Sequence, residues 1–167
     1  VRKLDREIER MLPGWKREPV ARALQAMRGI GPVNAATIAA ETGDMMRFSS
    51  PKQYMAYIGI IPSEHSTGDK TRRGKITKTG NSHLRFALIE AAKQYSHRAA
   101  VTRTLKKRQE GLPKDVIVVA WKAQKRLCRR FLAFVMRGKN RNITAVAIAR
   151  ELAGFVWALA RQVEMTA

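Results

Sequence analysis

Between Pro62 and Asn81 the chain sets small hydroxyl residues among Lys70, Arg72, Arg73, Lys75 and Lys78, with glycines in between. A hydroxyl can attack a phosphodiester. A glycine lets backbone approach a phosphate closely. Guanidinium and ammonium groups hold the phosphate and steady the charge that grows on it. The chemistry on offer is phosphoryl transfer on nucleic acid, which asks mainly for position and positive charge. Ser66, in His65-Ser66-Thr67-Gly68-Asp69, is the sharpest candidate nucleophile, and Arg72, Arg73, Lys75 and Lys78 are the candidate phosphate holders. Ser-Thr-Gly-Asp is equally a plain turn sequence, and a run of Lys and Arg is equally a solvated or phosphate-binding stretch. Local chemistry leaves both readings open. His65 and His83 are candidate proton carriers, but His65 points away from its neighbour Ser66 in an extended chain. A solvent-facing or phosphate-binding role suits both histidines better. Asn81 reads most simply as a helix N-cap.

The elements that must position this stretch are almost all helices. Arg2 to Met11 has Leu4, Ile8 and Met11 at helical spacing, and Pro13-Gly14 stops it. A second helix runs from about Pro19 to Met27. Gly29-Ile30-Gly31-Pro32 then leads into a helix over Val33–Glu41, ended by Gly43. Ser49-Ser50-Pro51 opens a short helix over Lys52–Tyr57 that stops near Gly59. Pro62 to Asn81 reads as a loop with a two-strand ribbon, Lys70–Arg72 and Lys75–Thr77, turning at Arg73-Gly74. Asn81-Ser82 caps a helix through about His97, with Leu84, Ala87, Leu88, Ala91 and Ala92 as its buried stripe. A basic helix spans Val101–Gln109. Two long amphipathic helices, about Asp115–Arg137 and Ile143–Val163, complete the chain. The fold class is therefore mainly α, with a helix-hairpin-helix-like unit and a basic loop or short β-ribbon insertion. The expected divisions are 1–17 as the end of a connector, 18–61 as the hairpin part, 62–81 as the serine-bearing loop and 82–167 as the helical remainder.

The Gly29-Ile30-Gly31 turn is a second candidate site. Two glycines at a helix N-terminus expose N–H groups where the macrodipole favours an anion. The amides of Gly29, Gly31 and Val33 would then contact a strand's backbone rather than its bases, with Ile30 plugging between the helices. An ordinary tight helix connection has the same sequence. The basic faces at Arg98–Arg108 and Lys122–Arg130 touch phosphates on one reading and water on the other. Trp121, Trp157, Phe131, Phe134 and Phe155 lie at helical spacing and read as core.

Charge favours a polyanionic partner. The 33 Lys and Arg outweigh 13 Asp and Glu, for a net +20. That excess costs self-repulsion in the folded state and drives binding to nucleic acid through counterion release. A single cysteine, Cys128, excludes an internal disulfide and fits a reducing, cytoplasmic setting. One Cys and three scattered His residues make no zinc set, and Asp44, Glu64, Asp69, Glu90 and Asp115 make no two-metal carboxylate set. No apolar run is expected to approach the ~20 residues of a membrane span. The first residue is Val1, not Met, and the chain is expected to be part of a longer protein.

Four blocks carry a family resemblance: Met27-Arg28-Gly29-Ile30-Gly31-Pro32; Phe48 to Gly59; Pro62-Ser63-Glu64-His65-Ser66-Thr67-Gly68; and Gly74 to Arg85. In order and spacing they resemble the C-terminal transposase domain of the insertion-sequence one-ten family, strongly from about Arg22 to Gln94. The resemblance implies a serine that links covalently to cleaved DNA, which falls on Ser66, or on Thr67 if the following glycine sets the alignment. It also implies nucleic-acid contacts through Lys70, Arg72, Arg73, Lys75, Lys78, Asn81, His83 and Arg85. It implies a bridge-type guide RNA, dimers or tetramers with a composite active site, a prokaryotic, nucleoid-associated protein, and an N-terminal RuvC-like domain whose DEDD carboxylates hold Mg2+. No cofactor is expected in the present residues. Two other functions remain compatible with the residues: a non-catalytic DNA or RNA binder, and a basic helical assembly module.

Overall fold

A computed structural model describes residues 2–64 and 73–166. Eight helices follow in order: α1 (Arg2–Met11), α2 (Glu18–Leu24), α3 (Pro32–Thr42), α4 (Pro51–Ile58), α5 (Ser82–Lys93), α6 (Arg103–Gln109), α7 (Lys114–Met136) and α8 (Arg141–Thr166). Between α4 and α5 stand two short strands, β1 (Pro62–Glu64) and β2 (Arg73–Ile76). The mainly α expectation holds.

Local chemistry explains most of the boundaries. Proline occupies the first turn of α2, α3 and α4, where its missing N–H breaks no helical bond. The side chains of Ser50, Asn81 and Thr102 accept hydrogen bonds from the amides of Gln53, Leu84 and Leu105, so three helices start on ordinary N-caps. The sequence reading ran some helices too far. The second ends at Leu24 rather than Met27, and the helix from Ser82 ends at Lys93 before a 3-10 turn, Gln94–Ser96. Thr102, read as inside the basic helix, is its cap.

α8 organises the rest. It packs against α2, α4, α5 and α7. Its buried face alternates alanine with larger residues (Ala145, Ile148, Ala149, Leu152, Ala153, Val156), and small side chains let neighbouring helices approach closely. α8 also corrects an expectation. It contains an 18-residue window of mean hydropathy 1.6, long and apolar enough by composition to cross a membrane. Its burial among four other helices accounts for that composition. Trp157 Nε1 and Arg161 Nη1 both donate to the Phe48 carbonyl, at 3.0 and 3.1 Å, which holds the segment before α4 against α8.

The ribbon differs from the expected one. β1 pairs antiparallel with β2, Pro62 opposite Ile76 and Glu64 opposite Arg73, with a register shift between them. Arg73-Gly74 is strand, not turn. Gly74 faces Ser63, whose hydroxyl donates to the Lys75 carbonyl at 3.0 Å. The signal that pointed to the wrong pairing was Arg73-Gly74, which looks like a turn. Pro62 is tolerated because it begins its strand.

Candidate nucleic-acid interface around the ribbon root

The two ends of the 65–72 segment emerge from a root made almost wholly of backbone. Below β1 and β2 the ladder continues. The amides of Thr77, Lys78 and Asn81 donate to the carbonyls of Ile61, Gly59 and Tyr57 at 2.9, 3.1 and 3.0 Å. Lys78 takes a left-handed backbone, φ 57°, and is the only non-glycine residue to do so among the described residues. Gly80 sits at φ 142° with its Cα against the chain end of α4. A Cβ there would lie 2.3 Å from the Tyr57 carbonyl oxygen. Only glycine fits that approach.

Side chains lock this ladder onto α3. Asn81 Nδ2 donates to Glu41 Oε2 at 2.7 Å, while Asn81 Oδ1 accepts from the Leu84 amide at 3.0 Å. His83 Nδ1 meets the other carboxylate oxygen of Glu41 at 3.0 Å. Tyr57 donates its hydroxyl to the Glu41 carbonyl at 3.1 Å. Arg85 Nη1 donates to the Ile58 carbonyl at 2.8 Å. Asn81 first, and then His83, hold the Glu41 carboxyl below the usual carboxylate range, although partial burial pushes it up. Glu41 therefore joins the first turn of α5, the end of α4 and the return limb of the ribbon.

The expected contact residues divide on this geometry. Lys75 and Lys78 are exposed, and His83 keeps 73 % of its side chain in solvent. These face solvent. Asn81 and Arg85 are half-buried struts. Ser66, Thr67, Lys70 and Arg72 lie outside the described residues, and Arg73 begins β2. Three residues were overlooked. Glu41 read only as a helix-end acid. Phe86 is 68 % exposed on the second turn of α5, where an aromatic face can stack a base. Arg47 lies over the Phe48 and Tyr57 rings, at 4.5 and 4.4 Å from their centroids. The Arg47-Phe48 adjacency was the available signal for Arg47. Nothing local marks Glu41, because its partners lie some forty positions away.

At the other end of α3, Gly31 occupies the N-cap position and Ile30 is fully buried, as expected of a plug. Gly29 has a packing reason of its own. Its φ is 81°, and a Cβ would lie 2.3 Å from the Ala91 carbonyl oxygen on α5. α6 closes the turn from the side. Arg108 Nη1 donates to the Ile30 carbonyl at 2.8 Å and Gln109 Nε2 to the Ala26 carbonyl at 3.0 Å. Burial lowers the pKa of the Arg108 guanidinium. Of the basic run on α6, Lys106 and Lys107 remain exposed. A groove of about 630 Å³ opens here between α2, Gly31-Pro32 and α6, lined in part by Arg22, Lys107 and Arg108.

Residues 21–108, which span the turn, the ribbon and α6, match the model of the transposase IS116/IS110/IS902 family. The chain belongs to this family. A Sinorhizobium fredii protein named as transposase y4qE is 43 % identical over 159 residues, covering 95 % of this chain and 41 % of the relative. A Pseudomonas aeruginosa protein named as a family 20 transposase is 31 % identical over 95 % of this chain and 40 % of its own length. The transposase for insertion sequence element IS1111A of Coxiella burnetii is 32 % identical over 81 % of this chain and 31 % of the relative. The chain thus spans about two fifths of the length of the first two.

Proposed function

We propose that this chain is the serine-bearing part of a transposase that cuts and rejoins DNA through a covalent serine–DNA intermediate, with Ser66 as the nucleophile. On this reading Ser66 Oγ forms an ester bond to the scissile phosphorus as the bond to the departing sugar oxygen breaks. The hydroxyl proton leaves, and the departing oxygen takes one up. Lys75 and Lys78, with Lys70, Arg72 and Arg73, balance the charge on the phosphoryl oxygens. The observation that carries the reading is the ribbon root. Backbone bonds, the Gly80 approach and the Glu41 cluster tie residues 57–61 to 77–81, the chain that leads toward and away from the serine-bearing stretch, within a family of transposases. Catalysis by a nucleophile depends on positioning more than on chemistry from its neighbours.

The remaining parts follow the family resemblance. A RuvC-like domain elsewhere in the polypeptide supplies the carboxylates for Mg2+. Among the described residues, no group of three His, Cys, Asp or Glu side chains offers donors for such an ion. Residues 1–17 are the end of the connector to that domain. A bridge-type RNA chooses the DNA, and protomers of a homodimer or tetramer complete one another's active sites in the prokaryotic cytoplasm, at the nucleoid. Gly31 and Val33 offer amides to a strand in helix-hairpin-helix fashion. The isolated chain binds nucleic acid and does not recombine it.

The decisive experiment is Ser66→Ala in the intact transposase, with Thr67→Ala beside it. Ser66→Ala abolishes covalent protein–DNA adducts on denaturing gels and leaves DNA binding in place. Adducts that survive Ser66→Ala and vanish with Thr67→Ala move the nucleophile by one position. If no adduct forms with any variant while binding falls steeply with salt, the chain is a non-catalytic binder.

A further inference from the structure

From Val116 to Arg150 the sequence holds nine Lys or Arg and no Asp or Glu. Most of them lie on α7, which the ribbon does not use. Two are paired locally: Arg126 and Arg130 share the single carboxylate of Glu151 of α8, which offsets one of their two charges. Lys122, Lys125 and Arg129 are exposed and have no acidic partner among the described residues. Their spacing of three and then four positions puts them on one face of the helix, over about 10 Å. We propose that this outward face of α7 is a second phosphate track, on which Lys122, Lys125 and Arg129 bind the sugar–phosphate backbone of duplex DNA.

Charge complementarity selects this occupant. Duplex DNA carries one charge per about 1.7 Å of axis, so three cations over 10 Å meet phosphates wherever the helix is laid. Val118, Leu132 and Met136 extend the stripe at both ends and are 64, 58 and 78 % exposed. Alone, they would suit a second copy of this chain. A two-fold contact between two α7 helices, however, would set the central cations against each other. The track does not depend on Ser66 being the nucleophile, since it concerns binding rather than cleavage.

The test uses the intact protein with Lys122→Ala/Lys125→Ala/Arg129→Ala. Its affinity for a mixed-sequence DNA duplex and for an RNA duplex of equal length is followed from about 50 to 200 mM salt. The variant's slope of log K against log salt is shallower by about 2 to 3 on the backbone that the track holds. The loss is expected on the DNA duplex, and a loss confined to the RNA duplex overturns DNA as the occupant. The charge-keeping variant Lys122→Arg/Lys125→Arg/Arg129→Lys retains the original slope, which separates charge from damage to the fold. Slopes unchanged on both duplexes overturn the proposal. So does an unchanged slope with an altered sedimentation coefficient, which would make α7 a contact between copies. Ser66→Ala leaves these slopes untouched, so failure here and failure of the serine reading are told apart.

Discussion

At the scale of single residues, Glu41 concentrates the argument. It touches no expected partner strand, yet it holds Asn81 and His83 at once. Glu41→Ala frees the first turn of α5 and the return limb of the ribbon. It should slow adduct formation roughly ten- to hundredfold, because small misplacements of reacting groups cost that much. DNA affinity should stay close to that of the unaltered protein. Glu41→Gln keeps an acceptor for Asn81 and should recover part of the rate. If adduct rates match the unaltered protein in both variants, Glu41 does not position the ribbon. The carboxyl also gives the root a pH dependence. Its pKa in the folded state lies below the ordinary value, so its contribution to stability is present above the unfolded pKa. That contribution is lost as pH falls through the folded pKa, on the acid side of the ordinary carboxyl value. Protection factors of the 77–81 amides, which correct for the intrinsic pH dependence of exchange, should fall on that side and stay level from neutrality down to about pH 5.

At the scale of elements, the ribbon is short, and two paired strands are marginal by themselves. Its stability comes from the root. Gly80→Ala adds a methyl 2.3 Å from the Tyr57 carbonyl oxygen. Overpacking of this kind costs about 1–3 kcal/mol. Because the clash lies at the ribbon and not in the α8 core, the damage should be local. The 73–78 amides should exchange faster and adduct formation should fall, with far-ultraviolet circular dichroism nearly unchanged. An unaltered exchange pattern would show that the close approach is dispensable. The pairing of β1 with β2 was hidden in the sequence because strand partners are chosen by where α4 and α5 leave their ends. The short segment 70–77 offered a shorter loop closure and drew the expected hairpin to itself. Helix starts were legible, since Ser50 and Asn81 announce themselves by residue type.

For the whole molecule, the Gly29 turn and α5 are the joint that makes the hairpin part of the core. Gly29→Ala must place a methyl 2.3 Å from the Ala91 carbonyl oxygen at φ 81°. A left-handed residue with a Cβ costs about 1–2 kcal/mol, and overpacking adds a comparable amount. Together the change should lower the melting temperature by roughly 5–15 °C. Calorimetry reads it directly, and a shift under 2 °C would show that the turn relaxes away from α5. The net charge of +20 acts at the same scale. It is spread over more than one surface, with Lys75 and Lys78 at the ribbon and Lys122, Lys125 and Arg129 on α7. A bound polyanion should therefore stabilise the protein against heat by more than ribbon contacts alone provide.

Residue type and spacing alone determined the helical class, the Ser50 and Asn81 caps, the Ile30 plug, the core stripe of α5, and the four blocks that belong to the transposase family. These are local or periodic properties, so they survive in a linear reading. Only the tertiary structure decided that Asn81 and Arg85 are struts while Lys75, Lys78 and His83 face outward, that Gly29 is needed by α5, and that Glu41 governs the ribbon root. Each of those facts is a meeting of chain segments brought together by burying apolar helix faces around α8. No window of sequence contains both partners.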